Sequence, residues 1–136
     1  YVAGFQEAFI RYLGDRVLGD IKNDYYSYGE VIRVVKQSGG ATVVAHPGQM
    51  YSEKELRQFV EAGVDGIEVL HPSHNYSLQK KMQDFAEHHN LLITGGSDFH
   101  GTKSDYLKYF GVVTISSANA RRIKEMTRQR KNILVE

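Results

Sequence analysis

The sequence predicts an α/β fold: parallel strands, each a continuous apolar run, alternating with helices that cover the sheet. Three observations carry this expectation. Strand-like runs at Thr42-Val43-Val44-Ala45, Gly66-Ile67-Glu68-Val69-Leu70 and Leu91-Leu92-Ile93-Thr94 alternate with stretches of helical periodicity. Ser27 with Glu30 and Ser52 with Glu55 have the spacing of capping boxes, which open helices. Each strand-like run stops at a Gly-, Pro- or Ser-containing segment that bears histidine.

Taken in order, Phe5, Ala8, Phe9, Tyr12 and Leu13 form the stripe of an amphipathic first helix that stops at Gly14-Asp15. Residues 15–26 read as a loop or a short strand. Ser27 opens a second helix with Val31, Val34 and Val35 as its apolar positions, ended by Gly39-Gly40. The strand over 42–45 follows and stops at His46-Pro47-Gly48. Ser52 opens the next helix, whose buried stripe is Leu56, Phe59 and Val60 and whose end is Gly63. The strand over 66–70 stops at His71-Pro72-Ser73-His74. The helix after it puts Leu78, Met82, Phe85 and Ala86 on one face, and His88-His89 close it, where they favour the C-terminal dipole. The strand over 91–94 runs into Gly95-Gly96-Ser97-Asp98-Phe99-His100-Gly101. A fourth strand is expected at Gly111-Val112-Val113-Thr114-Ile115, leading into a basic helix from Ser117 to Arg130.

With 136 residues, 41% of them hydrophobic, the chain suits one domain with a real core. No apolar stretch approaches the length of a membrane span. No secretory leader is visible at the start of the sequence. Opening on Tyr1 in mid-pattern suggests a piece of a longer protein. Cysteine is absent, which excludes disulfides, cysteine nucleophiles and thiolate metal sites. This agrees with a reducing, cytoplasmic setting. A net charge of +1 argues against nucleic-acid binding by bulk electrostatics. The last 16 residues nevertheless carry six basic and two acidic groups, so the final helix reads as a solvated face or as an RNA or nucleotide contact.

Chemistry in such sheets gathers beyond the strand C-termini, where the histidine-bearing segments fall. Asp98 and His100, two positions apart, are expected on one face and within reach of a hard or borderline divalent cation. His46 ends another strand, with Pro47 restricting the backbone after it. Taken singly, His46 reads as a turn residue and Asp98 as a turn cap; their convergence with His100 at one sheet end favours a site. Glu68 is expected to point inward and to support a ligand rather than to be one, because a carboxylate against the outer helices is costly to bury. His71 lies past the strand end and is placed with Glu68 among the supporting residues. His74 is read as a contact to substrate phosphate or as a surface histidine.

Gly39-Gly40-Ala41-Thr42-Val43-Val44-Ala45-His46-Pro47-Gly48, Gly66 through His74, and Thr94-Gly95-Gly96-Ser97-Asp98-Phe99-His100-Gly101 resemble the later motifs of the PHP (polymerase and histidinol phosphatase) family. The likeness runs over most of residues 27–115 and is closest to stand-alone PHP phosphoesterases, among them nucleoside 3′,5′-bisphosphate phosphatases. It implies a distorted (β/α)7 barrel holding two or three divalent ions (Mn, Zn, Fe or Mg), with a metal-bound hydroxide that hydrolyses a phosphate ester. His46 matches the Ala-His-Pro ligand, and Asp98 and His100 match the final Asp-x-His ligands. The family's initial His-x-His does not occur and no histidine precedes His46, so the resemblance implies the C-terminal half of the domain. Gln49-Met50 stand where the bisphosphatase branch often has a basic residue.

The expected function is therefore that of a metal-dependent phosphoesterase acting on a nucleotide, a short RNA or another phosphorylated small molecule. In the family the matched positions serve different ions, so these 136 residues alone are not expected to be a competent phosphatase. The exposed sheet edges would then be covered by the missing N-terminal half or by a second copy. The rival readings are an amidohydrolase-like metal hydrolase and a metal-free remnant that serves as an interaction module.

Overall fold

The computed structural model describes residues 2–13, 25–48, 50–101 and 106–133. Its elements run α1 (Phe5–Ala8, continued by a π-helical turn over Phe9–Leu13), α2 (Tyr28–Gln37), β1 (Val43–Val44), α3 (Glu53–Glu61), β2 (Gly66–Leu70), α4 (Tyr76–His88), β3 (Leu92–Gly95), a 3₁₀ turn (Leu107–Tyr109) and α5 (Ser117–Ile133). The strands form a parallel sheet in the order β1-β2-β3, with Val43 opposite Gly66 and Gly66 opposite Leu92. Helix–strand alternation and parallel pairing thus follow the sequence pattern.

Local chemistry explains most boundaries. Both capping boxes form: the Ser27 and Ser52 side chains accept from the backbone of Glu30 and Glu55, whose carboxylates bind back to the serine N–H. Asn75 caps α4 by accepting from Leu78 N–H. Gly39 and Gly63 leave α2 and α3 at φ +76° and +90°, which suits residues without Cβ. At the other end of β3, Gly95 is required by space, since a Cβ there would lie 2.5 Å from the Leu70 side chain and carbonyl. The core gathers between β2 and the helices: Ile32, Leu56, Val64, Ile67, Val69, Met82, Ala86 and Leu91 are all buried.

Several expectations are corrected. No strand occurs over 111–115 among the described residues. Val112 and Val113 N–H instead bond back to the Tyr109 carbonyl, and Gly111 sits at φ +74°, so the β-branched run is held in turns. In α1, Phe5 and Tyr12 are exposed rather than buried. The buried position of α2 is Ile32, whereas Val31 and Val34 face outward. His89 lies past α4 as its cap and packs on Phe85, ring centroids 4.5 Å apart. Burial there, with His88 beside it, lowers the pKa of His89, which works against its expected role as a helix-end cation. The stop at Gly14-Asp15 and nearly all of the 15–26 segment lie outside the described residues.

The two sheet ends are chemically unlike. At the strand N-termini, the Asp65 carboxylate is buried and clamped by Arg130 of α5 (Nη1–Oδ2 2.8 Å, Nη2–Oδ1 2.5 Å), by Thr42 N–H and hydroxyl, and by Lys36 at 3.3 Å. Arg130 also donates to the Gly40 carbonyl at 2.7 Å. The basic helix is therefore in part a structural strap rather than only a solvated or RNA-facing surface. The opposite end carries His46, His71, His74 and His100.

Candidate functional site

Beyond the strand C-termini lies an open cavity of about 400 Å³, lined by His46, Gly48, Met50, His71, Ser73, Asn75, Leu78, Asp98 and Tyr106. Its wall is contributed by the ends of all three strands. His46 follows β1, His71 follows β2 and Asp98 follows β3. The His46 and His71 ring centroids are 5.3 Å apart, and His71 Nε2 is 3.5 Å from Asp98 Oδ2.

His46 and Asp98 share an unusual backbone, at φ +28° and +51°. Left-handed conformations at residues with a Cβ are costly and persist only where the surroundings hold them. For His46 the clamps are visible. Its own N–H donates to Glu68 Oε2 at 2.6 Å, and two residues on Gly48 N–H donates to His74 Nε2 at 3.1 Å. Glu68 thus ties β2 to the turn that carries His46. His74 does not take the place expected for it. It is buried, its Nδ1–H donates to the Val69 carbonyl at 2.9 Å, and its Nε2 lone pair is taken by Gly48. With both nitrogens occupied it is a clamp for the His46 turn and not a contact for phosphate.

Asp98 and His100 come together, though not by strand alternation. β3 ends at Gly95, and the left-handed turn at Asp98 lets His100 Nδ1–H donate to the Asp98 carbonyl at 2.6 Å. The His100 ring stands 3.7 Å from Asp98 Oδ1 and is largely exposed, outside the cavity wall. Its Nδ1–H bond leaves the Nε2 lone pair directed outward, the arrangement usual for a metal-binding imidazole. Tyr106 is a wall residue that the sequence did not single out. Its ring meets that of His71 edge-on at 5.6 Å, and no spacing relation ties it to the histidine motifs.

The donor types suit a borderline divalent ion: imidazole nitrogen from His46 and His100, carboxylate oxygen from Asp98. Among the described residues, however, no three His, Asp or Glu side chains are grouped closely enough to hold an ion.

No protein-family model matches the chain. It is 42% identical over 78 residues to the phosphoribosyl 1,2-cyclic phosphate 1,2-diphosphodiesterase of Eggerthella lenta, covering 57% of this chain and 30% of that protein. It is 31% identical over 104 residues to the 3′,5′-nucleoside bisphosphate phosphatase of Chromobacterium violaceum, covering 73% of this chain and 36% of that protein. Among solved structures, a protein from Bifidobacterium adolescentis assigned as a metal-dependent phosphoesterase superimposes with a TM-score of 0.67 at 29% identity, covering 89% of this chain and 44% of that one. The chain spans about a third of the length of the curated relatives it matches. These similarities, to proteins named as hydrolases of phosphate esters, support the resemblance of the chain to the PHP family.

Proposed function

We propose that this chain forms the C-terminal part of a PHP barrel in a metal-dependent phosphoesterase that acts on a phosphorylated nucleotide or a related phosphate ester. The observation that carries the reading is the strand-end cavity, where His46 and Asp98 both have left-handed backbone and His46 is held in it by a dedicated hydrogen bond from its N–H to Glu68. Strain kept in place at the mouth of a parallel sheet is expected of a working site. His46, Asp98 and His100 would each give a donor to a divalent ion, with the remaining ligands supplied from outside this chain. Such ions, when bound, make a water acidic enough to attack phosphorus and offset charge on the phosphoryl oxygens. The chain's own residues fix the geometry: Glu68 and His74 hold the His46 turn, and the Nδ1 bond of His100 sets its ring.

Because the described donors do not complete a site, the 136 residues alone are expected to lack metal-dependent turnover. In the full-length protein, Asp98→Asn or His100→Ala should cut phosphate release from nucleotide phosphates by orders of magnitude while circular dichroism stays unchanged. A chelator should abolish the wild-type activity and added Mn or Zn should restore it. Wild-type-like turnover in either variant, indifference to the chelator, or release of ammonia from amide substrates in place of phosphate would overturn the reading.

A further inference from the structure

Resting on that reading, we propose that His71 is the positioning residue of Asp98: it presents an Nε2–H donor to Oδ2 and is not itself a metal ligand. The argument starts from its other nitrogen. Ser73 N–H donates to His71 Nδ1 at 3.1 Å, and the Ser73 hydroxyl stands 2.7 Å from the same atom. A backbone N–H can only donate, so Nδ1 is the acceptor and the proton of the neutral ring is on Nε2. A histidine that binds metal through Nε2 has the reverse arrangement, with Nδ1–H donating to an oxygen. His100 shows that arrangement and His71 shows its opposite.

The Nε2 donor has a clear destination. His71 is 96% buried, since its relative exposure is 4%, and Nε2 has no hydrogen-bond partner among the described residues. A buried donor without an acceptor is costly, and the carboxylate oxygen Oδ2 of Asp98 stands 3.5 Å from it, within reach of a small closing movement. The other carboxylate oxygen, Oδ1, faces His100 at 3.7 Å. The two oxygens of Asp98 are therefore distinguished. Oδ2 lies on the side of His71, and Oδ1 lies on the side of the Nδ1 edge of His100. Tyr106 packs edge-on against the His71 ring and His74 lies 5.3 Å from it, which limits any rotation that would exchange the two nitrogens.

The tautomer can be read on the unaltered protein by long-range proton–nitrogen correlation with ¹⁵N-labelled histidine. We expect His71 as the Nε2–H form, unchanged when Zn is added to the full-length protein, whereas the His100 Nε2 resonance shifts. An Nδ1–H form, or loss of the His71 Nε2 proton on adding Zn, would make it a ligand and overturn the proposal. For the functional arm, His71→Leu should weaken Zn binding by about 10- to 100-fold, and His71→Gln, which keeps an N–H near the same point, should recover most of it. His71→Leu should add little further loss in an Asp98→Asn background, because its effect passes through that carboxylate. Equal losses for Leu and Gln in folded protein, or full additivity with Asp98→Asn, would refute positioning. If no phosphate ester is turned over, the phosphoesterase reading fails while the tautomer and Zn results still decide the role of His71.

Discussion

Whether a neutral imidazole can accept a cation is decided by what its other nitrogen does. Around this cavity the hydrogen bonds sort the rings. His100 donates from Nδ1 and keeps an outward lone pair, His74 donates and accepts within the fold, and His71 accepts at Nδ1. His74→Ala should therefore act first on stability. It leaves Gly48 N–H and the Val69 carbonyl without their side-chain partner, at about 2–3 kcal/mol. Urea denaturation should show this loss, together with faster amide exchange at Gly48. A variant as stable as wild type would remove the clamp. Sequence spacing located this cluster but could not assign its members. In His71-Pro72-Ser73-His74 neither helical nor strand periodicity applies, so the direction of each ring depends on turn geometry. Glu68 was open to a burial argument because it lies within a strand rather than in a turn.

At the scale of elements, the tie between α5 and the sheet depends on one carboxylate. Burial pushes the Asp65 carboxyl up, but Arg130, the Thr42 N–H and hydroxyl, and Lys36 outweigh it and hold the pKa down to about 2. Its ordinary value is 3.8, so the folded state favours the ionised form. This contribution, about 2 kcal/mol, is complete above roughly pH 4 and is lost as the pH falls through about 2. Asp65→Asn should flatten that part of the stability profile. It should also cost about 3–5 kcal/mol at neutral pH, because Arg130 and Lys36 would face a neutral group at a buried position. Thermal melts of both proteins between pH 2 and 7 would test it; parallel profiles would contradict the assignment. The capped helices and the strands over 42–45, 66–70 and 91–94 were legible because caps and apolar runs are local signals. The Asp65–Arg130 pair was not, since its partners are 65 residues apart and the arginine sits among other helix cations. The expected fourth strand failed for a related reason: β propensity expresses a fit to neighbouring strands, and at 111–115 the backbone turns back on Tyr109 instead.

For the molecule as a whole, the sheet is open where β1 ends it. β1 has two residues and pairs only with β2 among the described strands. Beside it runs a groove of about 430 Å³ lined by Tyr28, Val31, Ile32, Val43, Val44, Tyr51 and Phe59. Tyr26, Val31 and Val34 add exposed apolar surface on the same side of α2. An unpaired strand edge next to an apolar groove invites pairing with another chain or segment. A barrel would consume this edge by continuing the sheet, and in the PHP reading the remaining part of the domain does so. For the 136-residue chain alone, a second copy is the available substitute. Light scattering at micromolar concentration should then give a mass above that of one chain, and Val43→Lys should shift it toward the monomer. The lysine puts a charge on the edge strand without touching the cavity, so the Asp98 and His71 nuclear resonances should stay in place. A sharp monomer for the unaltered chain, with cooperative unfolding, would show that β1 and its groove close on themselves. Supplying the rest of the domain in trans should compete with self-association, because both would use the same edge.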